Sequence, residues 1–226
     1  MDHSSKEILD RVVKTTNLSE GFNGLRLILR YIFELGPISS KEISSIIGIP
    51  LPLVSSIRRE LEKNHILIRS NGMLLSELGI HLINQMGISK NIKISEITSS
   101  ENISHQFEDL IPELDKICLN RPSYNPKIDQ SHVTIETSIK RVQYLIKNDA
   151  FEGRDILILG DDDLTSLAIL LCMRKFDVYP NKISVADIDH RILDFIDWHY
   201  TQSLIKPELV KVDLLEGLDV SLSGRH

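Results

Sequence analysis

Cysteine is scarce in this chain of 226 residues: Cys118 and Cys172 are the two present, far apart and without neighbouring Cys or His at ligand spacing. That argues against a disulfide framework and a zinc site, and makes a reducing cytoplasm the expected compartment. Long apolar runs are missing too. No stretch approaches the roughly 20 apolar residues that a membrane span needs. The first residues, MDHSSKEILDRVVK, are polar and lack the apolar centre of a signal peptide. Positive charge is not in excess either: Lys and Arg total 26 against 32 Asp and Glu, a formal net charge of −6. Residues 1–150 hold 18 charges of each sign, and residues 151–226 hold 14 acidic and 8 basic ones. All of the net charge therefore lies in the last third, as a solvated acidic face or as a field that draws in cations.

Glycine is also thin where the pattern calls for it. Ile156-Leu157-Ile158-Leu159 runs into Gly160, then Asp161-Asp162-Asp163, then the apolar helical stretch from Leu164-Thr165-Ser166 to Leu171. A continuous apolar run ended by glycine predicts a strand buried on both faces of a parallel sheet, followed by a βα turn. Ligands of open α/β sheets bind at the carboxyl ends of the strands. Dinucleotide-binding turns carry several glycines there, so that backbone can approach a pyrophosphate. Three carboxylates instead repel an anion and attract a cation. One aspartate would suffice as a helix cap. Three in a row repel one another unless a cation compensates. Oxygen ligands suit Mg²⁺ or Ca²⁺, but consecutive side chains do not all point one way and no EF-hand spacing follows. A cationic amine fits at least as well, and no metal is assigned.

From Ile156 onward the pattern is βαβαβ. Helices are expected over about 165–175 and 190–202, and strands over 182–186 and 210–212, which predicts a parallel sheet with right-handed crossovers. An acid at the end of the second strand binds ribose in dinucleotide folds. Asp187 has that place, with Asp189 a second candidate and Asp213, after the third strand, able to reach an adenine edge. Each could equally be a helix cap.

Upstream, helices are expected over 5–16, 24–35, 41–48 and 53–64, the third with a capping box from Ser39 or Ser40 to Glu42. Short strands at 66–69 and 73–75 flank Asn71-Gly72, a hairpin signal, and a further helix covers 77–86. Helices followed by a hairpin outline a winged helix over residues 1–90. The helix over 53–64, the third of the winged-helix outline after 24–35 and 41–48, offers Ser55, Ser56, Arg58, Arg59, Glu60, Glu62 and Lys63, a mixed set where a DNA reader needs basic and amide groups. Nucleic acid is therefore not the expected partner, and packing or homodimerisation is the expected role. Residues 91–134 read as a linker region, with one strand over 92–97 and a short helix over 107–119 broken by Pro112. An amphipathic helix over 135–148 opens a partial Rossmann-like, methyltransferase-type domain over 135–226. The fold class is thus α/β: a winged helix, then a parallel-sheet domain.

At this point the chain resembles a known family. Gly160-Asp161-Asp162-Asp163-Leu164 looks like the Gly-Asp-Asp-Asp motif of the branched-chain polyamine synthases, the N(4)-bis(aminopropyl)spermidine synthases of thermophilic archaea and bacteria. The similarity extends to Arg121-Pro122, Asp129-Gln130, Thr134, Glu136-Thr137 and Arg141, and downstream to Val185-Ala186-Asp187-Ile188-Asp189 and Asp213-Leu214. The resemblance implies aminopropyl transfer from decarboxylated S-adenosylmethionine to the secondary amine of spermidine, with methylthioadenosine released and no further cofactor. It places proton acceptance on Asp163, with Asp162 the rival. Gly160, Asp161, Asp162 and Leu164 would lie along the nucleoside, and Asp187, with Asp189 and Asp213, would hold it. The family continues with a strand and an Asp-Pro-Pro-Tyr motif. This chain ends Ser223-Gly224-Arg225-His226, so a fragment is expected, weak in nucleoside binding and inactive alone. Competing readings are an S-adenosylmethionine-dependent methyltransferase, whose turn would be glycine-rich, and a winged-helix regulator with a ligand-binding α/β domain, whose third helix would be basic.

Overall fold

The computed structural model describes residues 3–97, 102–128, 130 and 132–213, and the chain divides into two compact units, 1–96 and 97–226. In the first unit, α1 (His3–Thr16), α2 (Gly21–Leu35), α3 (Ser40–Ile47) and α4 (Leu51–Lys63) precede a hairpin of β1 (Leu67–Ile68) and β2 (Leu74–Leu75), and α5 (Glu77–Gln85) follows. Apolar residues at helical spacing form one core: Leu9 and Val12, then Leu25, Ile28, Leu29 and Ile32, then Ile43, then Val54, Ile57 and Leu61 are all buried. Ser39, not Ser40, caps α3. Its hydroxyl accepts the Glu42 amide at 3.2 Å while the Glu42 carboxylate accepts the Ser39 amide at 2.9 Å. The hairpin strands are shorter than expected, two residues each.

No strand forms over 92–97. The reason is a charged clamp on α2. Arg30 and Glu34, each side chain 1% exposed, pair at 3.2 Å. Glu34 then accepts the amides of Ile94 and Ser95, both at 3.1 Å. Donors consumed by a carboxylate cannot join a sheet ladder, and the segment Ile94–Glu96 closes as a 3₁₀ turn.

The second unit holds α6 (Leu110–Cys118), α7 (Ile135–Lys147), β3 (Asp155–Leu159), α8 (Thr165–Phe176), β4 (Lys182–Asp187), α9 (His190–Tyr200) and β5 (Glu208–Lys211). Residues 102–128, expected as connecting chain, are packed instead. Pro112 does not break α6, because it falls in the first turn, where its missing N–H has no intrahelical acceptor to lose. Leu110, Leu114 and Phe107 are buried, and Phe107 meets Phe176 with ring centroids 5.2 Å apart. Gln143 of α7 pins the approach, accepting the Ser104 amide at 2.7 Å and donating to the Asn102 carbonyl at 2.9 Å.

The sheet is parallel in the order β3-β4-β5, with Ile158 opposite Val185 and Val185 opposite Leu209. The βαβαβ pattern is thus present. The burial is not what the apolar run implied. Among the described residues β3 has a neighbouring strand on one side only, and Leu157 and Leu159 stand 45% and 50% exposed. They line a groove of about 540 Å³ with Tyr144, Leu145 and Arg141 of α7. The strand buried along its length is β4, where Ile183 to Asp187 are all buried. Among the described residues, no helix is long and apolar enough to cross a membrane.

Unequal burial gives unequal costs. Ile183→Ala should destabilise the protein by about 2–5 kcal/mol, the usual range for emptying a filled core site. Leu157→Ala should cost less than half as much. Urea unfolding of the two variants measures both, and equal losses would mean that β3 is covered on both faces.

Candidate functional site

Gly160 ends β3 with φ +70°, a left-handed turn in which a Cβ would meet nothing within 4 Å. Its amide donates to the Ala186 carbonyl at 2.8 Å and extends the ladder by one bond. The chain then turns through the three aspartates into α8, and each of them meets a different environment.

Asp161 is fully buried, and both of its oxygens accept the Ser166 amide, at 3.3 and 3.2 Å. It serves the first turn of α8 from inside. Burial raises its pKa to about 7, with the charge of Asp187 adding and hydrogen bonds from Ser166 and Thr165 opposing. Asp163 is also buried. Oδ1 accepts from the Thr165 amide at 3.2 Å and from its hydroxyl at 3.0 Å, while Oδ2 is ion-paired with Arg141. The Asp163 carbonyl accepts the Ser138 hydroxyl at 2.8 Å. Asp162 is the half-exposed member, and its carbonyl accepts Arg121 Nη1 at 3.2 Å. Leu164 follows with φ 57°, left-handed and completely buried. A β-carbon in that conformation costs on the order of 1 kcal/mol, which core burial of a leucine more than offsets.

Asp187 ends β4, 5% exposed. One oxygen accepts the Asp161 amide at 2.7 Å and the other the Asp189 amide at 2.8 Å. Asp189 caps α9, taking the Arg191 amide at 3.0 Å. Its oxygens also hold the Arg191 guanidinium at 2.9 and 2.6 Å and the Gln130 amide at 2.9 Å. Hydrogen bonding from Arg191 leads in lowering its pKa to about 2. Asp213 is half-buried, two residues beyond β5. The structure therefore brings Gly160, the three aspartates, Leu164, Asp187 and Asp189 into one continuous arrangement at the carboxyl ends of β3 and β4. Among the described residues, no group of three or more His, Cys, Asp or Glu is placed to hold a metal.

Sequence reasoning gave no roles to Arg121, Gln130, Arg141 and Ser138, which fix this arrangement from the α6–α7 side. The available signal was charge: three adjacent acids need partners, and arginines stand upstream. The compensating cation at Asp163 comes from the chain itself, where the sequence pointed to a ligand.

Asp161 makes stability depend on pH. Its folded pKa of about 7 lies above its ordinary 3.8, so the native state keeps the proton longer than the unfolded state. Stability should fall as pH rises from about 4 through 7, by a total on the order of 4 kcal/mol, and then level off. Asp161→Asn keeps an acceptor for Ser166 but cannot ionise. Thermal melts should show the variant more stable than the parent at pH 8 and the gap narrowing toward pH 4. A constant gap across that range would contradict the buried, proton-holding carboxyl.

Similarity to known proteins bears on the family. The branched-chain polyamine synthase A C-terminal domain matches residues 109–225. An N(4)-bis(aminopropyl)spermidine synthase from Methanocaldococcus jannaschii is 37% identical over 149 residues, 65% of this chain and 41% of that protein. One from Thermococcus kodakarensis is 29% identical over 195 residues, 85% of this chain and 54% of that protein. A crystal structure of the Thermus thermophilus branched-chain polyamine synthase, in complex with N4-aminopropylspermidine and 5'-methylthioadenosine, aligns at 21% identity and TM-score 0.47. The alignment covers 98% of this chain and 61% of that one. The chain spans about half the length of the curated relatives it matches. Because the family match takes in more than half of the residues, and every element of the acid site with it, the chain belongs to the branched-chain polyamine synthase family.

Proposed function

We propose that this chain carries the nucleoside-binding and acid-bearing part of an aminopropyltransferase. The enzyme would move aminopropyl groups from decarboxylated S-adenosylmethionine to the secondary amine of spermidine, giving a branched polyamine and methylthioadenosine. The observation that carries this reading is the turn 160–163 at the carboxyl end of β3, where a binding fold places its ligand. Two of its acids are buried and Asp162 is half-exposed.

The chemistry needs an unprotonated nitrogen, because an ammonium has no lone pair. The secondary amine gives its proton to a carboxylate and attacks the propyl carbon beside the sulfonium. A C–N bond forms, the C–S bond breaks, and sulfur leaves with its electron pair as the neutral thioether of methylthioadenosine. We assign proton acceptance to Asp162 in place of Asp163. Asp163 is buried and charge-paired with Arg141, whereas Asp162 is half-exposed. Asp161 and Asp187 shape the turn, and the ribose would lie against Asp187 and Asp213. Alignment of the reacting atoms then falls to the remaining acids, which hold the other ammonium groups of the polycation.

The finer fold reading belongs to the same proposal. β3, β4 and β5 are the start of a Rossmann-like, methyltransferase-type sheet. The first unit is a winged helix used for packing or homodimerisation in the cytoplasm. Arg58 of α4 supports that use over DNA reading, since it is engaged by Glu62 at 2.7 Å and by the Ser70 carbonyl at 2.6 Å.

Thermal shift tests the reading directly. Methylthioadenosine with spermidine should raise Tm together. A shift by S-adenosylhomocysteine alone would point to methyl transfer, and a shift by duplex DNA to a regulator. In any preparation that forms branched product, Asp162→Asn should lower kcat at least a hundredfold. Retained turnover in that variant would remove Asp162 from the mechanism.

A further inference from the structure

Arg121 follows α6 and reaches the acid turn with two separate donors. Nη1 holds the Asp162 carbonyl at 3.2 Å, and Nη2 lies 2.9 Å from His132 Nδ1. A guanidinium has donors only, so the imidazole nitrogen that faces it must be the unprotonated acceptor. The ring proton is thereby fixed on Nε2. The ring also has Tyr124 edge-on, with centroids 5.9 Å apart. Burial and the neighbouring Arg121 charge lower the His132 pKa, against a smaller opposing pull from Asp162, so the neutral form holds near neutral pH. Nε2 is shielded from solvent and has no hydrogen-bond partner among the described residues. A shielded N–H without an acceptor is unfavourable, and such groups are rare unless something else supplies the acceptor.

We infer that His132 is a nucleoside-contacting residue, its Nε2–H donating to an acceptor on the adenosine half of the co-substrate, with Arg121 the positioning residue that sets the ring. This rests on the proposed aminopropyl transfer. The acceptor belongs to the nucleoside because a protonated polyamine offers donors only, and two donors cannot bond. Ribose oxygens and purine ring nitrogens are acceptors. The neutral ring has a second effect. Arg121 already brings one cation to the Asp162 carbonyl, and a neutral ring adds no second one to repel the incoming ammonium.

The test uses the full chain. Nitrogen NMR of the imidazole should show Nδ1 bare and Nε2 protonated before ligand is added. Methylthioadenosine should then shift the Nε2 resonance. By calorimetry, His132→Phe should weaken methylthioadenosine about tenfold and leave spermidine within twofold. His132→Gln, whose amide restores a donor, should recover most of the loss. A proton on Nδ1 overturns the inference. So does a His132→Phe variant that binds methylthioadenosine as the parent does, or one that loses both ligands in parallel. A parent chain that binds neither methylthioadenosine nor spermidine overturns the proposed function itself, and this contact with it. A parent that binds both, with the variant unchanged, overturns this contact alone.

Discussion

Asp187 accepts two main-chain amides, one from the turn after β3 and one from the turn after β4. These are charge-assisted bonds in a buried place, where such bonds are at their strongest. They fix the direction in which the chain leaves both strands. The position of Asp161 at the base of α8 and of Asp189 at the head of α9 follows from that one carboxylate. Remove it and two buried amides lose their acceptor at once. The site is organised around an acid that holds backbone, before any ligand arrives.

Three adjacent acids would repel one another if all were charged and alike. The fold separates their fates. Asp161 is desolvated until its proton is held near neutral pH, Asp163 is neutralised by Arg141, and Asp162 keeps access to solvent. The turn therefore presents less net charge than its composition states. That economy suits the proposed transfer, in which the site would bind a cation and take a proton from it, since a fully charged trio would hold an ammonium too well to let it deprotonate.

A similar use of buried charge appears in the first unit. Arg30 and Glu34 form a pair sealed from solvent on α2, and its value lies in what Glu34 does next, accepting two amides of the segment after α5. A buried ion pair is weak evidence of stability by itself. Here it dictates the path of the chain, converting a stretch with strand-like composition into a tight turn.

The element pattern was legible because it depends on near neighbours: the 3.6-residue period of α2, α4 and α7, the Ser39–Glu42 box, the Asn71-Gly72 turn and the βαβαβ alternation are local in origin. The acid turn was legible as a site because a glycine and three aspartates after an apolar run have no local structural need. What each acid does was not legible. Asp161, Asp162 and Asp163 are identical in sequence, and only the packing around the turn makes one buried with a raised pKa, one ion-paired and one half-exposed. Burial of β3 was misjudged for the same reason. Its apolar run is the most continuous in the chain, yet how much of a strand is covered depends on which strands lie beside it, and β4 took the central place. The amino-acid order thus determined which elements form and where charge collects. The tertiary structure alone decided which carboxylate can meet a substrate, because desolvation and ion pairing are set by groups distant along the chain.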